Sequence, residues 1–185
     1  MKIDQNIKDA IKASVVIMAV VALIAVGIEI YDTVTNPETE EIYGFITFAL
    51  ILHADLDENE VKDDILNLID NISSVQVENS QEINSVIVRE SSLIRRYKES
   101  FYTLVSPTDE MRALKESLIE EASLFLISYS YLGEALESKS NDDYNAYLLN
   151  IEKATQYLDD AMNLRNQNRV ELDQWKTKIE AELSN

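Results

Sequence analysis

Residues 55 to 66, DLDENEVKDDIL, carry the spacing in this chain that most invites metal chemistry. Asp55, Asp57, Asn59 and Asp63 stand at the first, third, fifth and ninth positions of a calcium loop, where hard oxygen ligands would surround a divalent cation. Two decisive positions fail. Glu60 occupies the turn position that needs glycine, and Leu66 the final position that needs a bidentate glutamate. The spacing therefore predicts a capping box instead, with Asp57 as N-cap and Glu60 as its partner, followed by Ile65, Leu68, Ile69 and Ile72 on one helical face.

The remaining reactive side chains are sparse. A single histidine, His53, excludes zinc sites built on several histidines and the paired Glu-x-x-His sets of di-iron bundles. It sits among apolar residues, where a hydrogen-bonded core imidazole is expected rather than a base. No cysteine nucleophile exists, and no G-x-S-x-G elbow, P-loop or dinucleotide fingerprint is present. Acid pairs such as Glu120-Glu121 and Asp159-Asp160 lie among 34 acidic residues, a density at which adjacency needs no catalytic explanation. The expectation is a protein without enzymatic activity, cofactor, metal or small-molecule ligand.

The elements that hold these residues are helices. Three glycines and two prolines in 185 residues leave little material for the loops of a β-sandwich or a βαβ fold, so an all-α fold is expected. Asn36-Pro37-Glu38 reads as a helix start, and the thirteen uncharged residues 42–54 that follow suit a central core helix, or one that touches a partner as well as its own core. Asn79 with Glu82 caps the next helix but one, lined by Ile83, Ile87, Ile94, Tyr97, Phe101 and Leu104 at three- and four-residue steps and interrupted by Glu90. Ser106-Pro107 ends it. The next face runs through Met111, Leu114, Leu118, Ala122, Phe125, Tyr129, Leu132 and Leu136. After SKSND, a last helix from Asp142 to Leu183 carries Tyr144, Leu148, Ile151, Leu158, Met162, Leu172, Trp175, Ile179 and Leu183. Arg165 and Arg169 interrupt that seam. Leu172, Trp175, Ile179 and Leu183 are accordingly expected to project beyond the bundle as a surface for a partner helix or a second copy.

The opening of the chain has a different character. From Ala13 to Ile28 sixteen residues carry no charge, a run of ~24 Å as a helix. Lys12 and Glu29 at its ends can reach the headgroups, and Ile30 and Tyr31 lengthen it toward the ~30 Å hydrocarbon core. Ser14 is its sole polar residue, so it lacks the wet stripe of a soluble surface helix. Ala25-Val26-Gly27 has the form of a cleavage site, but Asp4 and Asp9 in the leader argue for an uncleaved anchor. Lys12, Ala13, Val20, Leu23, Ile28, Glu29 and Tyr31 mark this predicted transmembrane helix. Lys2, Lys8 and Lys12 precede it and no Lys or Arg follows until Lys62, which puts the N-terminus in the cytoplasm. Residues 1–32 then form tail and anchor, and residues 33–185 an elongated antiparallel bundle of four to five helices outside a cell membrane.

A formal charge of −18 argues against nucleic-acid binding, which needs clustered Lys and Arg. Tyr129, Leu132, Gly133 and Leu136, followed by Tyr147, Ile151 and Ala154, resemble a single tetratricopeptide unit over about one seventh of the chain, without the second copy that a solenoid needs. An anchor followed by antiparallel helices also resembles extracytoplasmic four-helix sensor domains. The expected function is a membrane-anchored protein–protein interaction or scaffold module. The alternatives are a ligand-sensing bundle without a second membrane span and a filament subunit with an apolar N-terminal core helix.

Overall fold

The computed structural model describes residues 37–58, 61–74 and 80–183. They form five helices: α1 (Pro37–Glu58), α2 (Val61–Ser74), α3 (Ser80–Thr103), α4 (Asp109–Ser140) and α5 (Tyr144–Leu183). The described part is all-helical and held by helix–helix packing. The predicted anchor, from Lys12 to Tyr31, lies outside the described residues, as do Asn36 and Asn79. Among the described residues no helix is long and apolar enough to cross a membrane.

Helix boundaries follow from the backbone groups that need partners. Pro37 opens α1, where its missing N–H costs nothing. Thr108 caps α4: its backbone is extended and its hydroxyl accepts the Met111 N–H at 3.2 Å. The Asp143 carboxylate accepts the Ala146 N–H at 3.0 Å and starts α5 two residues later than the pattern indicates. Between α4 and α5, Asp142 takes a positive φ of 59°, a conformation that aspartate tolerates better than bulkier residues. One expected cap gives way. Asp57 lies inside the last turn of α1, and an N-cap needs non-helical backbone, so it cannot start α2.

The long hairpin of α4 and α5 is the spine. Ser128 Oγ donates to the Ala154 carbonyl at 2.8 Å, and Ser117 Oγ donates to Asn168 Oδ1 at 2.6 Å, which fixes the two helices antiparallel. α3 returns along α4 after a short turn, where Lys115 Nζ donates to the Leu104 carbonyl at 2.6 Å. α1 and α2 together run antiparallel to α5. Thr39 and Ile42 lie beside Ile179 and Glu182, the His53 carbonyl meets Arg165, and Ser73 Oγ meets Tyr147 Oη at 2.9 Å. The result is a four-layered up-and-down bundle whose first layer is broken into two helices.

Its core contains every residue expected along α4, together with Ile83, Ile87, Ile94, Tyr97 and Phe101 of α3 and Ile65, Leu68 and Ile72 of α2. Each large apolar side chain so buried contributes ~1.5–3 kcal/mol relative to exposure. Tyr97 and Phe101, one turn apart, meet edge-to-face with centroids 4.9 Å apart. Along α5 the buried face runs through Tyr147, Asn150, Ala154, Leu158, Ala161, Arg165, Asn168, Leu172 and Ile179. Tyr144 and Leu148 are exposed. The seam, which includes the small residues Ala154 and Ala161, thus sits one step round from Tyr144 and Leu148.

Candidate functional site

Arg165 does not break the seam. It is buried in it, and its charge is matched from the neighbouring helix. Its Nη1 donates to Glu121 Oε1 at 2.7 Å, and its Nη2 donates to the His53 carbonyl near the end of α1 at 2.7 Å. Asn168 Nδ2 donates to Glu121 Oε2 at 2.8 Å, and its own Oδ1 accepts from Ser117. Glu121 is fully buried, so the carboxylate depends on these donors for everything that water would have supplied. His53 is buried as expected, but its Nε2 stands 3.7 Å from Glu121 Oε2, beyond hydrogen-bond reach, and makes no hydrogen bond among the described residues, so that nitrogen departs from the expected hydrogen-bonded imidazole. Arg169, by contrast, faces solvent.

This cluster ties α1, α4 and α5 together. Its geometry is structural rather than reactive: the carboxylate is enclosed and already accepts from a guanidinium and an amide, which leaves it poorly placed to take a proton from a substrate. Sequence reasoning missed Glu121 because 34 acids hide it. The usable signal was positional. Glu121 and Arg165 both fall on the three- and four-residue apolar rhythm of their helices, where a charge must find a partner.

A second polar feature is the cleft between α2 and α3, lined by Asp64, Asn67, Asn71, Glu82, Arg89 and Glu90. Arg89 Nη2 pairs with Glu90 Oε1 at 2.6 Å. Nearby, burial raises the Tyr129 phenol above its ordinary value, and the charges of Glu90 and Asp64 add to the shift. Beside Thr108, the carboxyl of Glu110 is held below its ordinary value by its own backbone N–H and by the Thr108 hydroxyl.

The residues of the calcium spacing are not brought together as a loop. Asp55 and Asp57 are in helical backbone, Asp63 is exposed in the first turn of α2, and Asn59 and Glu60 lie outside the described residues. Among the described residues no group of three or more His, Asp or Glu side chains could hold a metal ion.

The expected partner stripe on α5 is largely core. Leu172 and Ile179 are buried, and Trp175 is half-buried against the core with Lys178 Nζ 4.4 Å from its ring centroid. Leu183 ends α5, beyond the side chains described. The reason is that this end of α5 meets both the start of α1, at Thr39 and Ile42, and the start of α4, at Thr108 and Glu110. An aromatic pair of half-buried side chains lies elsewhere. On the outer side of the α4–α5 hairpin, Tyr131 and Tyr157 stack with centroids 5.6 Å apart, and Lys153 Nζ lies 5.0 Å from the Tyr131 ring. Ile127, one turn before Tyr131, and Leu149, one turn before Lys153, extend this face and are exposed. No protein-family model, curated protein or solved structure matches this chain.

Proposed function

We propose that this chain is a membrane-anchored, non-enzymatic interaction module, tethered by residues 12–31 with its N-terminus cytoplasmic and its helical bundle outside. The observation that supports the interaction reading best is the outer face of the α4–α5 hairpin. Two half-buried stacked tyrosines, one of them anchored on the core, a lysine over that ring and two exposed aliphatic residues give rigid, amphipathic contact area at low entropic cost. The interface thus moves from Leu172, Trp175 and Ile179, which the fold itself uses, to Ile127, Tyr131, Leu149, Lys153 and Tyr157. The anchor reading is supported by the uncharged run from Ala13 to Ile28 and by the lysines before it.

Both halves are testable in intact cells. The chain is expected to resist carbonate extraction, with external protease removing a C-terminal tag and sparing an N-terminal one. A photo-crosslinker at Leu149 is expected to give a discrete adduct that disappears in the Tyr131→Ala/Tyr157→Ala variant while helicity is kept. Extraction by carbonate refutes the anchor. An adduct unaffected by the double substitution refutes the assigned face.

A further inference from the structure

The turn between α3 and α4 carries two large hydrophobic side chains that the fold leaves in water. Val105 is 80% exposed, and Tyr102, in the last turn of α3, is 60% exposed. Leu104, between them, packs against the core. Lys115 Nζ, donating to the Leu104 carbonyl, and the Thr108 cap fasten the turn to α4. Basic residues surround it. Between Arg95 and Lys115 five of them (Arg95, Arg96, Lys98, Arg112 and Lys115) stand against the acids Glu99, Asp109 and Glu110, a local excess in a chain of formal charge −18. Arg112 is answered by Asp109 at 2.8 Å and Lys115 by the Leu104 carbonyl, which leaves Arg95, Arg96 and Lys98 to give the patch its sign. Arg95, Lys98 and Tyr102 follow at three- and four-residue steps and so share one face of α3, with Glu99 beside it.

The place of the turn identifies what it meets. Thr39 and Ile42 of α1 share one small pocket with Thr108 and Glu110, just after the turn, and with Ile179 and Glu182 of α5. The α3–α4 turn therefore sits at the end of the bundle where α1 starts, and the α4–α5 turn at the other. On the reading of residues 12–31 as an anchor, the first of these ends faces the bilayer. The six steps from Tyr31 to Pro37, at ~3.6 Å each, reach no more than ~22 Å. We propose that the α3–α4 turn rests on the bilayer that holds the anchor, with Val105 and Tyr102 in the headgroup layer and Arg95 and Lys98 reaching lipid phosphates. An amphipathic aromatic beside an aliphatic suits that layer, and long basic side chains lay their stems along it. The acids at the same end, Glu38, Glu40 and Glu41 of α1 and Glu180 and Glu182 of α5, are carried by other helices: α3 packs on α4, and α1 on α5. Anionic headgroups repel that side and draw the α3 side down, while acids more than ~8 Å from the surface are largely screened at physiological salt. The inference rests on the anchor reading and goes beyond it, since it gives the bundle an orientation on the membrane.

The absence of native cysteine makes the test clean. Val105→Cys, Val88→Cys and Tyr144→Cys are introduced singly into the full-length chain, which is synthesised in a cell-free system onto vesicles of phosphatidylcholine and phosphatidylglycerol. Val88, midway along α3, and Tyr144, at the opposite end of the bundle, are exposed and serve as controls. By exposure alone, Val105→Cys would react with a membrane-impermeant maleimide at least as fast as either control. The expected result is a reaction about tenfold slower, equivalent to ~1.4 kcal/mol of preference for the bilayer. A fluorophore placed there should also be quenched by nitroxide-bearing lipid, and Arg95→Glu with Lys98→Glu should return most of the maleimide rate. A rate equal to the controls overturns the proposal. Protection without quenching by lipid overturns it too, because protein then covers the turn. A rate that the charge reversal leaves unchanged overturns the role given to the two cations. Carbonate treatment of the same vesicles reads the anchor separately. A resistant chain with an unprotected Val105→Cys keeps the anchor and overturns this proposal. A chain that carbonate extracts, although its Val105→Cys label was quenched, supports the contact of the turn and removes the anchor. A chain that never joins the vesicles removes both.

Discussion

Replacing Arg165 by methionine is the sharpest perturbation this bundle offers. The side chain is 6% exposed and that of Glu121 is 0% exposed, so the substitution strands a carboxylate in the interior with Asn168 as its remaining donor. Removing one partner of a buried pair costs about 3–5 kcal/mol, consistent with the loss of two charge-assisted bonds. Against a total stability of ~5–15 kcal/mol this is severe. With a urea slope of ~1–3 kcal/mol per molar, the unfolding midpoint should fall by about 2 M. Far-ultraviolet circular dichroism of the full-length chain in mild detergent measures it.

The companion variants separate charge from packing. Arg165→Met with Glu121→Leu removes both charges but leaves the Asn168 amide without its acceptor, so recovery should stop about 1–3 kcal/mol short. Adding Asn168→Leu removes that orphaned amide but takes the acceptor from the Ser117 hydroxyl, and the His53 carbonyl still lacks the Arg165 donor, so stability should rise further yet stay below that of the parent. A loss below about 1 kcal/mol in the single variant would refute the reasoning, because surface ion pairs behave that way and buried ones do not.

Further outcomes follow from the same geometry. Lys139 Nζ donates to the Ile72 and Ser73 carbonyls at 2.6 and 2.7 Å and so closes the C-terminus of α2; Lys139→Met should speed hydrogen exchange in residues 61–74 while leaving α4 and α5 protected. The raised Tyr129 phenol contributes stability that is intact below its ordinary value of 10.0 and lost as pH rises beyond it, so the parent's urea midpoint should fall more steeply than that of Tyr129→Phe between about pH 9 and 11. The lowered Glu110 carboxyl works the other way: its contribution is present above the ordinary value of 4.5 and lost on acidification, a loss that Glu110→Gln should not show between about pH 6 and 3. Millimolar calcium should leave the melting temperature unchanged; a rise abolished by Asp55→Ala would restore the calcium reading of residues 55–66.

Much of this protein is written in local pattern. The dearth of glycine and proline leads to helices, and the three- and four-residue rhythm on α3 and α4 identifies the core side chains, because a helix repeats its faces at that period whatever it packs against. Pro37, too, begins a helix where a rule about one missing N–H places it. What the tertiary structure alone decided is the meaning of residues that violate the pattern. Arg165 interrupts an apolar seam in the sequence, yet it lies in the core because Glu121 and the His53 carbonyl arrive from two other helices to satisfy it. Leu172 and Ile179 look like a spare sticky stripe, yet both are buried, and beside Ile179 stand the starts of α1 and α4. On α5 the seam passes through Ala154 and Ala161 rather than Tyr144 and Leu148, because the face that meets the neighbouring helices is set by their positions and not by where the larger apolar side chains fall. Periodicity is a property of one helix, whereas charge compensation, covering and close approach are properties of pairs, and the pairing is fixed only when the chain has folded.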